Sequence, residues 1–224
     1  MRQHIWHDVL DQFRTVEFYH NQTTVLSSLG HSLGWMLGNT LLAWIPVGLA
    51  LWLFAGRVGV NFPIAPPRSR TLHWLVIAVT IAFLPNAPYL LTDIVHLDSA
   101  IRNIGPRAWL LLPIYVLVIG SALIAYALTL RLLLAPVVAR GYVKLVAVLL
   151  VSTHLACAIG IQLGRAQRLN SWWFVTRPLR VLEGLSHALT DPASQLFIVI
   201  VFVATTVGHI FADRVLVKDR FPQL

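Results

Sequence analysis

Charge is what this 224-residue sequence has least of. Only 12% of its residues are charged and 57% are hydrophobic, where an ordinary soluble domain carries about 25% charged residues. With a mean hydropathy of +0.73 and apolar runs near the ~20 residues that cross a bilayer core, the deficit argues against a soluble domain. It predicts an all-α, polytopic transmembrane helical bundle. Acid is scarcest: 9 Asp and Glu stand against 17 Lys and Arg, a net charge of +8. No compact Lys/Arg block of the kind that marks nucleic-acid binding is present. The basic residues sit between apolar runs, as loop and helix-end charges do, so no nucleic-acid partner is expected. The single cysteine, Cys157, excludes an intramolecular disulfide and a Cys-based zinc cluster. Its apolar surroundings suit a small buried hydrophobe. The first 24 residues have no apolar h-region, so no cleavable signal peptide is expected. No internal repeat suggests paired halves.

The apolar pattern predicts an amphipathic or polar segment over 1–28, a bundle over 29–216 and a charged tail over 217–224. About five spans are expected, near 29–54, 72–95, 108–130, 143–163 and 193–212. Asn39 and Pro46 fall inside the first. The apolar run Leu72–Leu84 covers about 20 Å at 1.5 Å per residue, too little for a span, so it must continue past Pro85-Asn86-Ala87-Pro88. Asn86 is then expected as the N-cap of a second half-helix with Pro88 in its first turn. Tyr89, Asp93 and His96 follow at i, i+4 and i+7 and share one face. Two readings stand side by side. A broken helix can present a dipole end to an ion or polar ligand; alternatively Asp93 and His96 lie past the hydrocarbon edge, where charge costs little.

Arg131 is expected to close the third span and snorkel. His154, near the centre of the fourth, suits either a neutral packing role or a proton relay. Arg165 and Arg168 follow one helical turn apart, before Asn170, Ser171, Trp172 and Trp173. Residues 176–190 are too short and too charged to span. They predict a surface helix capped by Thr176, with Val181, Leu182, Leu185 and Leu189 on one face. Asp191-Pro192 reads as N-cap and first position of the last span. Let side A be the side of residues 1–28. The second and fourth spans both end there, so Asp93 and His96 can face Arg165 and Arg168. The candidate binding set is therefore Asn39, Asn86, Tyr89, Asp93, His96, Arg165, Arg168 and Asn170. No cofactor or metal is expected, because Asp93 and His96 supply only two ligands where zinc takes three or four.

Three separated motifs carry a resemblance. Phe83-Leu84-Pro85-Asn86-Ala87-Pro88-Tyr89 through Thr92-Asp93 and His96-Leu97 is one. Asn39-x-x-Leu42-Ala43-Trp44-Ile45-Pro46 is the second, and Leu163-Gly164-Arg165 with Arg168 and Asn170-Ser171-Trp172 the third. In this order they resemble the bacterial integral-membrane family of the domain of unknown function 1361. The resemblance implies a multi-pass protein of the bacterial cytoplasmic (inner) membrane and brings no established activity with it. The family pattern often has an acid after Ser-Trp, where this chain has Trp173, so no acidic ligand is available at that position. Three function classes remain open. One is small-solute or ion handling at an anion-favouring site, which five spans would carry out as a homo-oligomer. Another is an enzyme acting on a lipid or phosphorylated headgroup, with His96 as base. The third is a scaffold in which the polar residues lock helices together.

Overall fold

The computed structural model describes residues 25–54, 56, 65–67, 69–94, 96–97, 101–102, 105–165, 167, 169 and 173–219. The expected N-terminal amphipathic segment therefore lies mostly outside the described residues, as do Arg168 and Asn170. Every regular element among the described residues is helical. In chain order they are α1 (Val25–Phe54), α2 (Arg70–Phe83), α3 (Asn86–Tyr89), a 3₁₀ turn (Leu90–Asp93), a second 3₁₀ stretch (Gly105–Leu111), α4 (Leu112–Val138), α5 (Val143–Arg165), α6 (Trp173–Thr176), α7 (Pro178–Thr190) and α8 (Pro192–Asp219). Five helical stretches are long and apolar enough to cross a membrane: Met36–Phe54, Arg70–Asp93, Gly105–Val138, Val143–Arg165 and Pro192–Leu216. The chain is a multi-pass membrane protein.

Its helices meet through small side chains. Ala43 of α1, Ala87 of α3, Ala122 of α4 and Cys157 of α5 share one core with Leu84, Leu90 and Tyr126. Small residues let backbones approach where lipid provides no hydrophobic drive between helices. A second core joins Ala158 and Ile161 of α5 to Ala188 of α7 and Phe197, Ile198 and Val201 of α8. Large apolar side chains such as Leu117, Val143 and Phe211 point outward, as a lipid-facing surface requires. α4 lies at the centre, against α1, α3, α5 and α8, while α2 packs chiefly on α1.

Hydrogen-bond accounting explains the broken second span. Pro85 and Pro88 lack N–H groups, so the carbonyls four residues earlier, Ile81 and Leu84, lose their donors. The chain tightens instead: Leu84 N donates to Ile81 O at 3.2 Å and Ala87 N to Leu84 O at 3.3 Å. Ala87 N is thereby taken from Phe83, whose carbonyl accepts from Asn86 Nδ2 at 2.8 Å. Leu84 and Pro85 stay in the right-handed helical region throughout. Asn86 is therefore not the N-cap that its position predicts. The missing groups are donors, so what the break needs is a side chain that donates. The ligand-ready N-terminus is also absent, since Tyr89 N bonds Pro85 O at 3.1 Å and α3 is four residues long.

Three further expectations are corrected. α4 does not close at Arg131 but runs to Val138 with Pro136 inside it, and the Arg131 guanidinium is held by Asp213 of α8 instead of snorkelling. Thr176 does not cap α7. It ends α6, and Arg177 occupies the cap position without a side-chain bond. The face α7 turns to the bundle is Val181, Gly184 and Ala188, while Leu182 and Leu189 point out, at 60% and 52% exposure. Gly184 admits the close approach: its carbonyl accepts from Gln167 Nε2 at 2.8 Å, and a Cβ there would collide with that same side chain.

Asp191 caps α8 as its position predicts, Ser194 N donating to Oδ2 at 2.8 Å. Partial burial works to raise its pKa, but the hydrogen bonds from Ser194 and the nearby His187 hold it below the ordinary carboxylate value. A depressed folded-state pKa stabilises fully above the unfolded value, and that contribution is lost as pH falls through the folded one. Asp191→Ala should lower stability by about 1 kcal/mol near neutral pH. In thermal unfolding of the detergent-solubilised protein, the gap to wild type should close on acidification through the carboxylate range.

Candidate functional site

Arg165 is the last residue of α5, and its side chain is turned into the protein, at 4% exposure. Every described neighbour in this cluster comes from the far side of the proline break. Nη1 donates to Asp93 Oδ1 at 3.0 Å and to Thr92 Oγ1 at 2.7 Å. Nη2 lies 3.5 Å from His96 Nε2. The guanidinium carbon sits 5.2 Å from the centre of the Tyr89 ring, a cation–π distance. Thr92 is oriented for its part: its hydroxyl proton goes to Tyr89 O at 2.6 Å, which leaves a lone pair for the guanidinium.

Thr92 and Asp93 belong to the 3₁₀ turn that follows α3. Thr92 and Asp93 are both buried there and both reach the same nitrogen. Asp93 is 2% exposed, so the pair is fully desolvated, and removing one charge would strand the other. Among the described residues, Arg165 Nε and Asp93 Oδ2 have no hydrogen-bond partner.

His96 is not arranged as a base oriented by Asp93. Arginine only donates, so the His96 nitrogen facing Nη2 presents its lone pair there. Asp93 Oδ1 is 3.9 Å from that same nitrogen, too far for a hydrogen bond. One turn before Arg165 on α5, Gln162 donates from Nε2 to Ser194 Oγ of α8 at 2.8 Å and tethers the site to the last span. Among the described residues no three His, Cys, Asp or Glu side chains come together to hold a metal ion.

Beside the cluster a 590 Å³ groove lies between the end of α2 and α5. Ile81, Ala82, Pro85, Asn86 and Tyr89 form one wall, and Ala156, Gly160, Gly164 and Val181 the other. Its volume is in the range of small-molecule sites. Gly160 faces Pro85 at contact distance, while a Cβ on Gly164 would meet nothing within 4 Å. Tyr89 belongs to both features, with an edge in the groove and its face under Arg165.

Of the expected residues, Tyr89, Asp93, His96 and Arg165 come together directly, and Asn86 lies beside them in the groove wall. Asn39 is half-buried on α1, between the turn that packs on Leu97 and Tyr115 and the turn that packs on Ala87 and Leu90. No hydrogen bond joins it to the cluster among the described residues. Thr92, Gln162 and Ser194 were missed. Buried Thr and Gln in apolar helices give a weak signal, though Thr92 stands next to an acid already singled out.

The family model described as "Protein of unknown function (DUF1361)" matches residues 38–207. The chain belongs to this family. The matched segment holds the proline break, Arg165 and all the contacts between them. A search of curated proteins and a search of solved structures each found no match.

The ion pair makes a direct prediction. Asp93→Asn and Arg165→Gln should each destabilise by about 3–5 kcal/mol, and the double variant by clearly less than their sum. Denaturant unfolding of the four proteins in detergent measures this, and additive losses would mean that the two charges do not meet.

Proposed function

We propose that this protein binds an anionic, lipid-like amphiphile. The apolar chain lies in the groove between α2 and α5, and the headgroup reaches Asn86, Tyr89 and Arg165. The observation that supports this reading is the groove itself, which runs at membrane depth to the tyrosine stacked on a buried guanidinium. Between Ala156 and Gly164 it extends about 12 Å at 1.5 Å per residue, close to one leaflet of the hydrocarbon core. An occupant at that depth must be apolar along its length and polar at one end.

The headgroup competes with Asp93 for the guanidinium. Displacing the buried carboxylate is costly, so the headgroup must bring hydrogen bonds of its own, and His96, 3.9 Å from Asp93, is the neighbour that can pair with the released carboxylate when protonated. A phosphate or carboxylate headgroup matches the guanidinium fork. The bilayer is the source of the ligand, and the bacterial cytoplasmic membrane is the location this reading takes. Transport of a small solute would need a second copy of the chain, whereas lipid binding does not. The tight Arg165–Thr92–Asp93 network favours one other reading, a static lock between the second and fourth spans.

Gly164→Leu separates the two, because it fills the groove where nothing obstructs a side chain and leaves the ion pair intact. Mass spectrometry of gently purified protein should show an anionic lipid bound to wild type and at least tenfold less bound to the variant, at similar thermal stability. Equal lipid content in both would leave only the lock.

A further inference from the structure

A second polar cluster lies where α4, α5 and α8 meet, away from Arg165. The rings of His154 and His209 are 5.0 Å apart, and Tyr126 packs against both, at 5.7 Å and 5.9 Å. All three side chains are buried. The contacts of His154 favour one tautomer. Thr206 Oγ1 donates its single proton to Phe202 O at 2.7 Å, so its 3.3 Å contact with His154 Nδ1 is made by an Nδ1–H donating to oxygen. A neutral imidazole carries one proton, which leaves Nε2 as a bare lone pair, buried and without a partner. Tyr126 does not satisfy it, since its hydroxyl donates to Cys157 Sγ at 3.7 Å. A buried acceptor with no donor is costly, and near mid-membrane it marks a functional site.

The surroundings differ in the two directions along the bundle. Toward the side opposite A, a 230 Å³ cavity is lined by Arg131, Val146, Leu150, His209 and Asp213. His209 thus stands between this cavity and His154. Toward side A, the buried side chains of Ala158, Ile161, Phe197, Ile198 and Val201 form an apolar core against which Tyr89 of the Arg165 cluster packs.

We propose that His154 and His209 form a proton-binding site that exchanges with one side of the membrane only, through the cavity at Arg131 and Asp213. The proton leaves hydronium or a buffer acid in the cavity, passes by His209 and adds to the lone pair of His154 Nε2. No other bond changes. The groups facing the pair are Tyr126 and Arg131 from α4, Cys157 from α5 and Asp213 from α8. Asp213 favours the added charge at His209 and Arg131 opposes it, while the Tyr126 ring offers a face to the imidazolium. The apolar core keeps this proton from the Arg165 cluster, so the site is independent of the proposed lipid groove.

Solid-state NMR of ¹⁵N-histidine-labelled protein in nanodiscs tests the proposal. His154 signals are assigned by their loss in His154→Gln or, if that variant does not fold, by correlation with Thr206. At neutral pH, His154 should be the Nδ1–H tautomer, and on acidification Nε2 should gain a proton. His209→Gln and Asp213→Asn should each move the His154 midpoint by about tenfold or more in proton concentration. Three results would overturn the proposal: an Nε2–H tautomer at neutral pH, a His154 that stays neutral down to the lowest pH at which the protein remains folded, or a midpoint that His209→Gln leaves in place.

Discussion

A guanidinium cannot be neutralised by losing its proton, so one buried inside a membrane bundle dictates what must surround it. Arg165 is that group here. It needs a counter-charge, hydrogen-bond acceptors and a polarisable face, and it obtains all of them from residues 89–96. The fourth span cannot end where it does unless the second span delivers those residues to the same depth. Much of the side A architecture follows from that requirement.

The proline break is how the second span meets it. Thr92 and Asp93 sit in the 3₁₀ turn just after Pro88, and both reach one guanidinium nitrogen. The residues of the break also line the groove, with Pro85 at contact distance from Gly160 and open space at Gly164. Site and groove thus share the proline break. Asn86 shows the economy of the arrangement, since its amide satisfies the carbonyl that the break strands and its side chain also lines the groove.

Much of this could be read from the residues. Five apolar runs gave five membrane-crossing stretches, because length and hydropathy decide that question in lipid. The meeting of Asp93 and His96 with Arg165 followed from span parity alone. The N-cap expectation for Asn86 failed because Pro-x-x-Pro was taken to stop a helix, when here it only shifts the bonding from i−4 to i−3. Val181 was grouped on one face with Leu182, Leu185 and Leu189, but Val181 turns to the bundle while Leu182 and Leu189 point out, since beside a bilayer leucines pack equally well against lipid. Thr92 and the pairing of Gln162 with Ser194 depend on exact side-chain register, which periodicity does not resolve. Arg131 was read as an interface anchor because its partner Asp213 lies 82 residues away.

The central claim is that the buried Arg165–Asp93 pair and the neighbouring groove together form a place for an amphiphile. A cryo-electron microscopy map of the protein in nanodiscs made from native lipid, with an antibody fragment to add mass, tests it most directly. The account predicts elongated density between α2 and α5, ending at Tyr89 beneath Arg165. A groove without such density, its space at Gly164 closed by protein side chains, or an Arg165 side chain turned away from Asp93, would contradict it.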